Sequence, residues 1–469
     1  MTLRCRSCEG LAACQASALS MAATPDATKL LYDIVHHVKT APSGEVTPTT
    51  IAPIFRFLRP AKIPKSERPT TADRERVNLA TDALKAFVEV GSSEHMLSTP
   101  ALIARILEPD GWPSIWKWLQ FMREKCVLQK SYGEDACTSA VIGIATTLEV
   151  LRRHTNLRIA VTTTSGVLEL IMEQWLHASD HARLGTNLSD AGYHYIQSRL
   201  MLALGGLLES TDATPKSPVG PQIFGPQILA GAGGDSKLVA TTALSRLRTS
   251  VADANAPETD VGPHLMLMYN LSGQCQAIHL ALANEGLIPV IIEVLSWCNA
   301  RPAQAKPANT LNECYRNLLR VFYSTNGAVW VVQALDSGLI TAMLRSGSWL
   351  ATVDPTDFAV ELCERFLDEV LSKYTVFRSV LRAVRRALRQ VEKRRLGTKA
   401  VVGCLWDAWQ KFKAFAEVRL GMLDLWDERG GRAASEACTY PKVRAFCSQT
   451  MYISHPRHSV QTQNSTTIR

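Results

Sequence analysis

The sequence lacks the features that usually assign a chain to a class at first sight. Its longest uncharged stretch, residues 261–284, is interrupted by Asn, Gln and His, whereas a membrane-spanning helix needs about 20 predominantly apolar residues. Signals for β-strands are also scarce, because the best β-branched run, 161–164, is short. These absences predict an α-helical chain with no transmembrane segment.

Catalytic signatures are missing as well. The sequence contains no Gly-x-Ser-x-Gly elbow, no His-Glu-x-x-His, no phosphate-binding Walker sequence and no protein-kinase motif. A chain without these constellations is expected to bind rather than to catalyse. We therefore predict that it is not an enzyme and that it has no cofactor.

Paired cysteines are rare, although the chain holds 12 cysteines. Seven of them stand singly inside apolar helical patterns, namely Cys126, Cys137, Cys275, Cys298, Cys314, Cys363 and Cys404. Single thiols of this kind act as small core residues and suit a reducing compartment. They predict an intracellular protein, cytoplasmic or nuclear. The Ala-rich stretch 11–23 makes a poor signal peptide, and a mitochondrial presequence stays open as an alternative.

The composition is that of a folded chain. Hydrophobic residues make up 46% and charged residues 20% of the 469 positions, which is enough apolar material for a sizeable core. The formal net charge is +8. This excess permits acidic partners without requiring nucleic acid.

Helical periodicity dominates the chain and divides it into five parts. Thr-Pro pairs and apolar residues at 3–4 spacing indicate successive helices. A Pro- and Gly-rich stretch predicts a long loop or linker between two sets of helices. The predicted parts are a disordered N-terminus at 1–23, helical repeats at 24–209, the loop at 210–235, helical repeats at 236–429 and a disordered tail at 430–469.

A turn of Gly followed by two apolar residues recurs at the start of helices. Gly166, Gly286 and Gly338 each open such a segment, and the last two are 52 residues apart. Glycine tolerates the positive φ that a sharp turn between helices needs. Repeated helical units bury their apolar faces against one another. The pattern therefore predicts a stacked array of helices.

The best-preserved copy, Asn-Glu-Gly-Leu-Ile-Pro-Val-Ile-Ile-Glu-Val-Leu at 284–295, resembles the third-helix opening of an armadillo repeat. The copies at Gly338 and Gly166 resemble it less closely. The resemblance implies an all-α fold, an armadillo- or HEAT-like right-handed α-solenoid with a long loop and disordered termini. Folds of this kind generally present a groove to a peptide or a protein.

The C-terminal part is similar to large fungal proteins that carry a helical solenoid before a MYND-type zinc finger. The similarity rests on Trp406, Trp409, Phe412 and the run 437–442. It implies that Cys438 stands where the first zinc ligand of the finger would be. The Cys-x-x-Cys pairs that should follow are absent, and Val443 occupies the place of a second cysteine. The finger therefore looks truncated or replaced, and zinc is expected only in a longer form of the chain.

Other ligand-binding patterns are incomplete. Cys438, Cys447, His455 and His458 match no closed zinc-site spacing, and Cys5 and Cys8 have no second pair nearby. His177 and His181 share one helical face, but Ser179-Asp180 lie between them where a metalloprotease needs Glu. The Gly-rich run 230–236 lacks the Gly-Lys-Ser/Thr ending of a phosphate loop. We interpret the cysteines and histidines near the two ends as parts of disordered segments. His177 and His181 are interpreted as a polar helix end, and the Gly-rich run as part of a linker.

A strongly basic amphipathic helix is predicted between 378 and 399. Its positive face consists of Arg378, Arg382, Arg385, Arg386, Arg389 and Lys393, and its apolar stripe includes Val380, Val384, Leu388 and Val391. The alternatives are an acidic partner, RNA, a membrane surface, or a solvated face. In the last case, Glu361, Glu364, Asp368 and Glu369 on the preceding helix would neutralise part of the charge.

Three functions remain open on this sequence. The first is a non-enzymatic protein–protein interaction scaffold built on a helical solenoid. The second is a MYND-type regulatory protein whose zinc finger is truncated, for example by a wrong splice boundary, so that a Cys-rich continuation would be found past Lys442 in another reading frame. The third is a nucleic-acid or acidic-surface binder acting through residues 378–399.

Overall fold

A computed structural model of the chain describes ten ranges of residues. They are 25–41, 46–93, 100–178, 180, 188–209, 224–253, 257–301, 308–324, 327–350 and 358–428. The termini predicted to be disordered and the Cys438 region lie outside these ranges. Within them every regular element is a helix and no strand occurs. The predicted all-α class is confirmed.

The chain forms two compact units, one ending at Ser337 and the other starting at Gly338. The helices of the first unit are α1 (Pro25–Thr40), α2 (Pro48–Phe57), α3 (Thr71–Gly91), α4 (Pro100–Leu107), α5 (Trp112–Phe121), α6 (Glu134–Leu151), α7 (Thr155–Thr163), α8 (Val167–Leu176), α9 (Asp190–Leu207), α10 (Gly225–Gly231), α11 (Ser236–Ala252), α12 (Glu258–Gln274), α13 (Gln276–Asn284), α14 (Leu287–Ala300), α15 (Ala308–Ser324) and α16 (Ala328–Asp336). A 3₁₀ turn, Pro60–Lys62, precedes α3, and a π-helical segment, Met122–Leu128, continues α5.

The helices of the second unit are α17 (Leu339–Leu350), α18 (Phe358–Arg365), α19 (Ser372–Tyr374), α20 (Arg378–Lys393), α21 (Lys399–Val402) and α22 (Trp406–Glu428). A π-helical segment, Phe366–Leu371, joins α18 to α19, and a 3₁₀ turn, Gly403–Leu405, joins α21 to α22. In this unit α20 packs against both α17 and α22, and α22 also contacts the π-helical segment.

Local sequence signals place the helix starts well. Thr70 and Asp73 form a capping box at α3: the Thr70 hydroxyl accepts from the Asp73 backbone N–H at 3.2 Å, and the Asp73 carboxylate accepts from Thr70 N–H at 3.1 Å. Such reciprocal bonds satisfy backbone donors that a helix start leaves free. At the starts of α9 and α11, the Ser189 hydroxyl and the Asp235 carboxylate each accept one bond, from the backbone N–H of Gly192 and of Leu238. Polar caps thus set the boundaries.

The three glycines predicted at turns have the backbone geometry that the pattern requires. Gly166, Gly286 and Gly338 have φ of +86°, +95° and +98°, and each immediately precedes a helix of apolar residues. A side chain at positive φ would collide with the backbone, so glycine is favoured there. The repeated turn between helices is therefore confirmed.

In the first unit the long helices stand side by side in one row. Contacts run from α1 to α3, and from there to α6, α9, α12 and α15, each helix packing on the next. Helices α8, α11, α13 and α14 pack against the row. Buried aliphatic side chains such as Leu204, Leu271 and Ile291 fill the space between them. This neighbour-to-neighbour packing is the solenoid-like arrangement expected of stacked helical units.

The Pro- and Gly-rich stretch differs from its prediction. The loop was expected to span 210–235, but Gly225–Gly231 forms α10, which packs on α8. Gly231 lies so close to α8 that a Cβ there would meet the Glu169 carbonyl oxygen at 2.5 Å. Position 231 therefore needs glycine, because α10 packs too closely on α8 to leave room for a side chain. The division between units also falls at Ser337/Gly338, inside the second predicted block of repeats.

Candidate interaction surfaces

The basic helix predicted from the sequence is α20, and its apolar stripe is buried as expected. Val380, Val384 and Val391 are at most 2% exposed. The cations of its N-terminal half face the end of α22. Arg382 lies 3.3 Å from Asp427, Arg385 pairs with Asp424, and the Arg378 guanidinium stacks 3.9 Å from the centre of the Trp426 ring. This half of the predicted positive face is therefore largely neutralised.

Three of the four carboxylates predicted to neutralise α20 have other partners. Glu361 and Glu369 interact with Arg365 of their own helical segment, at 3.7 and 3.9 Å. Asp368 lies 4.0 Å from Lys411. The counter-charges of Arg382 and Arg385 come from α22. The packing of α22 beside α20 decides which acids are close, and sequence proximity does not.

The C-terminal end of α20 keeps its charge. Among the described residues, no carboxylate forms an ion pair with the exposed cations Arg389, Lys393, Arg394, Arg395 and Lys399. We call these five residues the basic tip. Cations are favourable at a helix C-terminus because its carbonyl oxygens carry partial negative charge. The basic tip is the part of the predicted surface that remains available to an anion.

Arg395 within the basic tip has an unusual backbone conformation. Its φ is +53°, a value that only one other described non-glycine residue approaches. It closes a Schellman motif, in which the Leu396 N–H donates to the Val391 carbonyl and the Arg395 N–H to the Glu392 carbonyl, both at 3.0 Å. Glycine is the usual residue at this place. The strain of a left-handed arginine costs on the order of 1 kcal/mol.

In the first unit the central parts of four long helices contain no exposed residue. Every residue in 136–151, 195–207, 261–274 and 310–322, the central parts of α6, α9, α12 and α15, is buried or half-buried. The shorter α13 and α14 instead have exposed positions, for example Glu293 of α14. We call the outward side of these four long helices the long-helix face. Its half-buried positions make it a place where a partner could bury further surface.

One end of the long-helix face holds a buried carboxylate surrounded by arginines. Glu149 of α6 has only 4% of its side chain exposed. It accepts from Arg153 at 2.9 Å, lies 3.4 Å from Arg152, and reaches Arg199 of α9 at 3.5 Å. Burial lowers the pKa of Arg152, although Glu149 opposes the shift. The cluster connects two long helices and leaves an excess of positive charge.

A second polar cluster lies where α12 meets α15. The guanidiniums of Arg316 and Arg320 lie 4.2 and 3.8 Å from the centre of the Tyr269 ring. Burial alone would raise the pKa of Tyr269, but the two arginines outweigh it and lower the pKa. Glu313 pairs with Arg316 at 2.7 Å, yet burial raises the pKa of its carboxyl. Glu209 acts electrostatically on Glu313 and on Arg152, so the two clusters are neighbours.

Two buried asparagines next to these side chains were missed in the sequence. The Asn270 amide donates to the Gly205 carbonyl of α9 at 2.8 Å, and the Asn317 amide donates to the Leu265 carbonyl of α12 at 3.0 Å. Each therefore ties one long helix to the preceding one. The sequence did contain a signal for them. Each of the two asparagines precedes a Leu, and they are 47 positions apart, which is one repeat length.

The remaining sequence candidates that lie in the described ranges do not form a reactive site. Among the described residues no three His, Cys, Asp or Glu side chains could hold a metal ion together. His177 lies at the end of α8 beside a surface cavity of about 510 Å³, and His181 is outside the described residues. The Gly-rich run lines the same cavity together with the Arg123–Glu173 ion pair, so the cavity offers no excess positive charge to a phosphate.

The thiols are core residues, as predicted from their apolar surroundings. Six of the seven described cysteines are buried, and Cys404 is partly exposed. Burial, assisted by Cys137, raises the pKa of Cys126 to about 12. Such thiols stay protonated at neutral pH and are poor nucleophiles.

Comparisons with known proteins give no assignment: no family model, no curated protein and no solved structure matches the chain. The resemblances to armadillo repeats and to fungal MYND-type proteins thus gain no support from relatives. No single helix in the described part of the chain has the length and hydropathy of a membrane span. Helices α13 and α14 meet the length and hydropathy criteria only when they are taken together, and this pair is bent by 69°.

Proposed function

We propose that the chain is a non-enzymatic protein-interaction scaffold that receives an extended segment of a partner protein on the long-helix face. The observation that supports it is the Tyr269 cluster. A half-buried aromatic ring with two guanidiniums 4.2 and 3.8 Å from its centre offers both an apolar surface and hydrogen-bond donors, which is the combination enriched at protein interfaces. The five arginines of the face outnumber its three glutamates, so the favoured segment carries acidic side chains.

The test compares partner capture by three full-length proteins. One carries Tyr269→Ala and Arg316→Ala, the control carries Glu293→Ala on the exposed side of α14, and the third is unchanged. Quantitative mass spectrometry should find partners retained by the unchanged chain and the control but reduced at least tenfold by the double variant. Binding of a purified partner and unchanged circular dichroism must accompany the loss. Equal capture by all three proteins would contradict the proposal.

A second candidate is binding of an acidic surface or nucleic acid by the basic tip. The left-handed Arg395 favours it, since strained residues persist mainly where a function or the surrounding structure requires them. Substituting Arg395→Gly should stabilise the second unit by about 1 kcal/mol while weakening anion binding. A gain in stability together with a loss of anion binding would distinguish a binding role of Arg395 from a structural one.

The corresponding measurement is the binding of a fluorescent single-stranded RNA at several salt concentrations. If the basic tip binds phosphates, the logarithm of the affinity falls linearly with the logarithm of salt concentration, with a slope of roughly −0.7 per phosphate contacted. Charge reversal at Lys393 and Arg394 should abolish this dependence, whereas Lys237→Glu in the first unit should preserve it. Absent or salt-independent binding excludes the candidate.

A further inference from the structure

The Glu149 carboxylate is shared by more arginines than it can fully satisfy. Arg153 occupies both of its oxygens, because Arg153 Nη2 donates to Oε1 at 2.9 Å and to Oε2 at 3.0 Å. Arg152 and Arg199 are held more loosely, at 3.4 and 3.5 Å. We call these four residues the Glu149 cluster. Its three cations and single anion leave two formal positive charges in excess.

Arg152 is held in place on the neighbouring long helix. A Cβ at Gly206 of α9 would lie 2.3 Å from Arg152 Cδ and 2.7 Å from its Nη1. The arginine side chain therefore lies directly on the α9 backbone, and the glycine at position 206 leaves room for it. A donor that is fixed before binding loses little conformational entropy when a ligand arrives.

Arg152 has more donors than the surrounding residues have acceptors for it. Its one hydrogen bond to a described residue is the 3.4 Å contact with Glu149, and its buried Nε donates to no described atom. Burial lowers the pKa of Arg152, although Glu149 and Glu209 oppose the shift. Glu209 is itself paired with Arg158 at 3.1 Å. A further anion beside Arg152 would therefore be favourable, because a partly buried cation needs compensation.

Solvent reaches the cations of the Glu149 cluster but hardly reaches its carboxylate. The side chains of Arg152, Arg153 and Arg199 are 22%, 32% and 32% exposed, whereas that of Glu149 is 4% exposed. A ligand that arrives from solvent therefore meets guanidinium groups, which suit the oxygens of carboxylates and phosphates. A phosphate monoester carries a charge of about −1.5 to −2 at pH 7 and matches the excess of the cluster. A carboxylate or a phosphodiester carries a single charge and leaves part of the excess uncompensated.

We infer that the Glu149 cluster binds the phosphate group of a phosphorylated side chain in the partner segment. The phosphate oxygens accept hydrogen bonds from the exposed N–H groups of Arg152 and Arg199, while Glu149 continues to hold Arg153. The inference rests on the proposed function, since it takes the partner to be a protein segment on the long-helix face. It adds that phosphorylation of that segment controls its docking.

The test is fluorescence anisotropy of the full-length chain with a degenerate peptide pool that carries a fixed central phosphoserine. The same pool with a central serine and a single-stranded RNA are the comparison ligands. The phosphorylated pool should bind roughly tenfold more tightly than the serine pool, because charge-assisted hydrogen bonds are the stronger ones. Equal binding of the two pools overturns the inference. Tighter binding of the RNA, or full displacement of the phosphorylated pool by an equal concentration of inorganic phosphate, overturns the assignment to a phosphorylated side chain.

The substitution Gly206→Ala tests the Glu149 cluster without changing any charge. The new Cβ displaces the Arg152 side chain, so the preference for the phosphorylated pool should be lost, whereas the control Gly143→Ala inside α6 should keep it. Arg199→Ala should also lose the preference, and Arg74→Ala, at an exposed position of α3, is its charge-matched control. Circular dichroism verifies that each variant is folded. A preference that survives in both Gly206→Ala and Arg199→Ala overturns the inference.

Failure of the phosphate site and failure of the proposed function give different results. Phosphatase treatment of the lysate should reduce partner capture by the unchanged chain. Capture that depends on Tyr269 and Arg316 but resists phosphatase overturns the phosphate site and leaves the scaffold function in place. A clear preference for the phosphorylated pool, together with capture that is equal in the Tyr269→Ala and Arg316→Ala double variant, supports the phosphate site and contradicts the proposed role of Tyr269.

Discussion

At the scale of single residues, backbone conformation explains the choice of amino acid at the turns of the helical array. Gly166, Gly286 and Gly338 have positive φ. The pattern of Gly followed by two apolar residues predicted all three turns from the sequence. The pattern was readable because the requirement is local. Arg395 was not predictable in this way, since arginine gives no sign of a left-handed conformation.

Substituting Gly286→Ala should destabilise the first unit by about 1–2 kcal/mol, because φ of +95° is strained for any residue with a Cβ. Urea denaturation monitored by circular dichroism measures the change. The matched control is Gly143→Ala inside α6, where the new Cβ would lie 3.8 Å from Leu84 Cδ1, an ordinary contact. This control should be neutral or slightly stabilising. Equal losses in both variants would show that space, rather than φ, limits the site.

At the scale of elements, hydrogen bonds between neighbouring long helices help to fix their register. Asn317 of α15 is 1% exposed and donates both to the Leu265 carbonyl and to the Glu313 carbonyl, at 3.0 and 2.8 Å. The periodicity of apolar residues in the sequence predicted the helices themselves. It could not tell which polar residue on a helix would face a neighbour, because that depends on the rotation of the helix in the row.

Substituting Asn317→Leu should cost about 1–3 kcal/mol, since the Leu265 carbonyl loses a buried hydrogen bond. Denaturant unfolding of the full-length chain provides the free energy. Asn270→Leu breaks the equivalent bond between α12 and α9 and should have an effect of the same sign. Asn78, which is exposed on α3, supplies the control Asn78→Leu. A control loss as large as that of Asn317→Leu would contradict a specific role for the cross-helix bond.

At the scale of the whole molecule, buried titratable groups connect folding to pH. Burial, reinforced by Arg246, lowers the pKa of His264 to about 4, and burial together with Arg320 lowers that of His279 to about 4. Unfolded histidines titrate near 6.5. The unfolded chain therefore binds more protons than the folded chain between these values. The contribution of both histidines to stability is complete above pH 6.5 and is lost as the pH falls towards 4.

We expect the free energy of unfolding of the first unit to decrease by a few kcal/mol between pH 7 and pH 4.5 because of these two side chains. Urea titrations at half-unit steps measure the slope. The variant His264→Gln with His279→Gln removes both protonation sites and should flatten the curve over this window. An unchanged slope in the double variant would assign the acid sensitivity to carboxylates instead.

The sequence by itself determined the all-α class, the capped starts of the helices, the glycine turns, the burial of the thiols and the amphipathic basic helix. Each depends on residues within a few positions of one another. Only the tertiary structure decided that α22 neutralises one half of α20 and leaves the basic tip. It also placed the guanidiniums of Arg316 and Arg320 against the Tyr269 ring. These features depend on which helices become neighbours, and packing between distant segments fixes that choice.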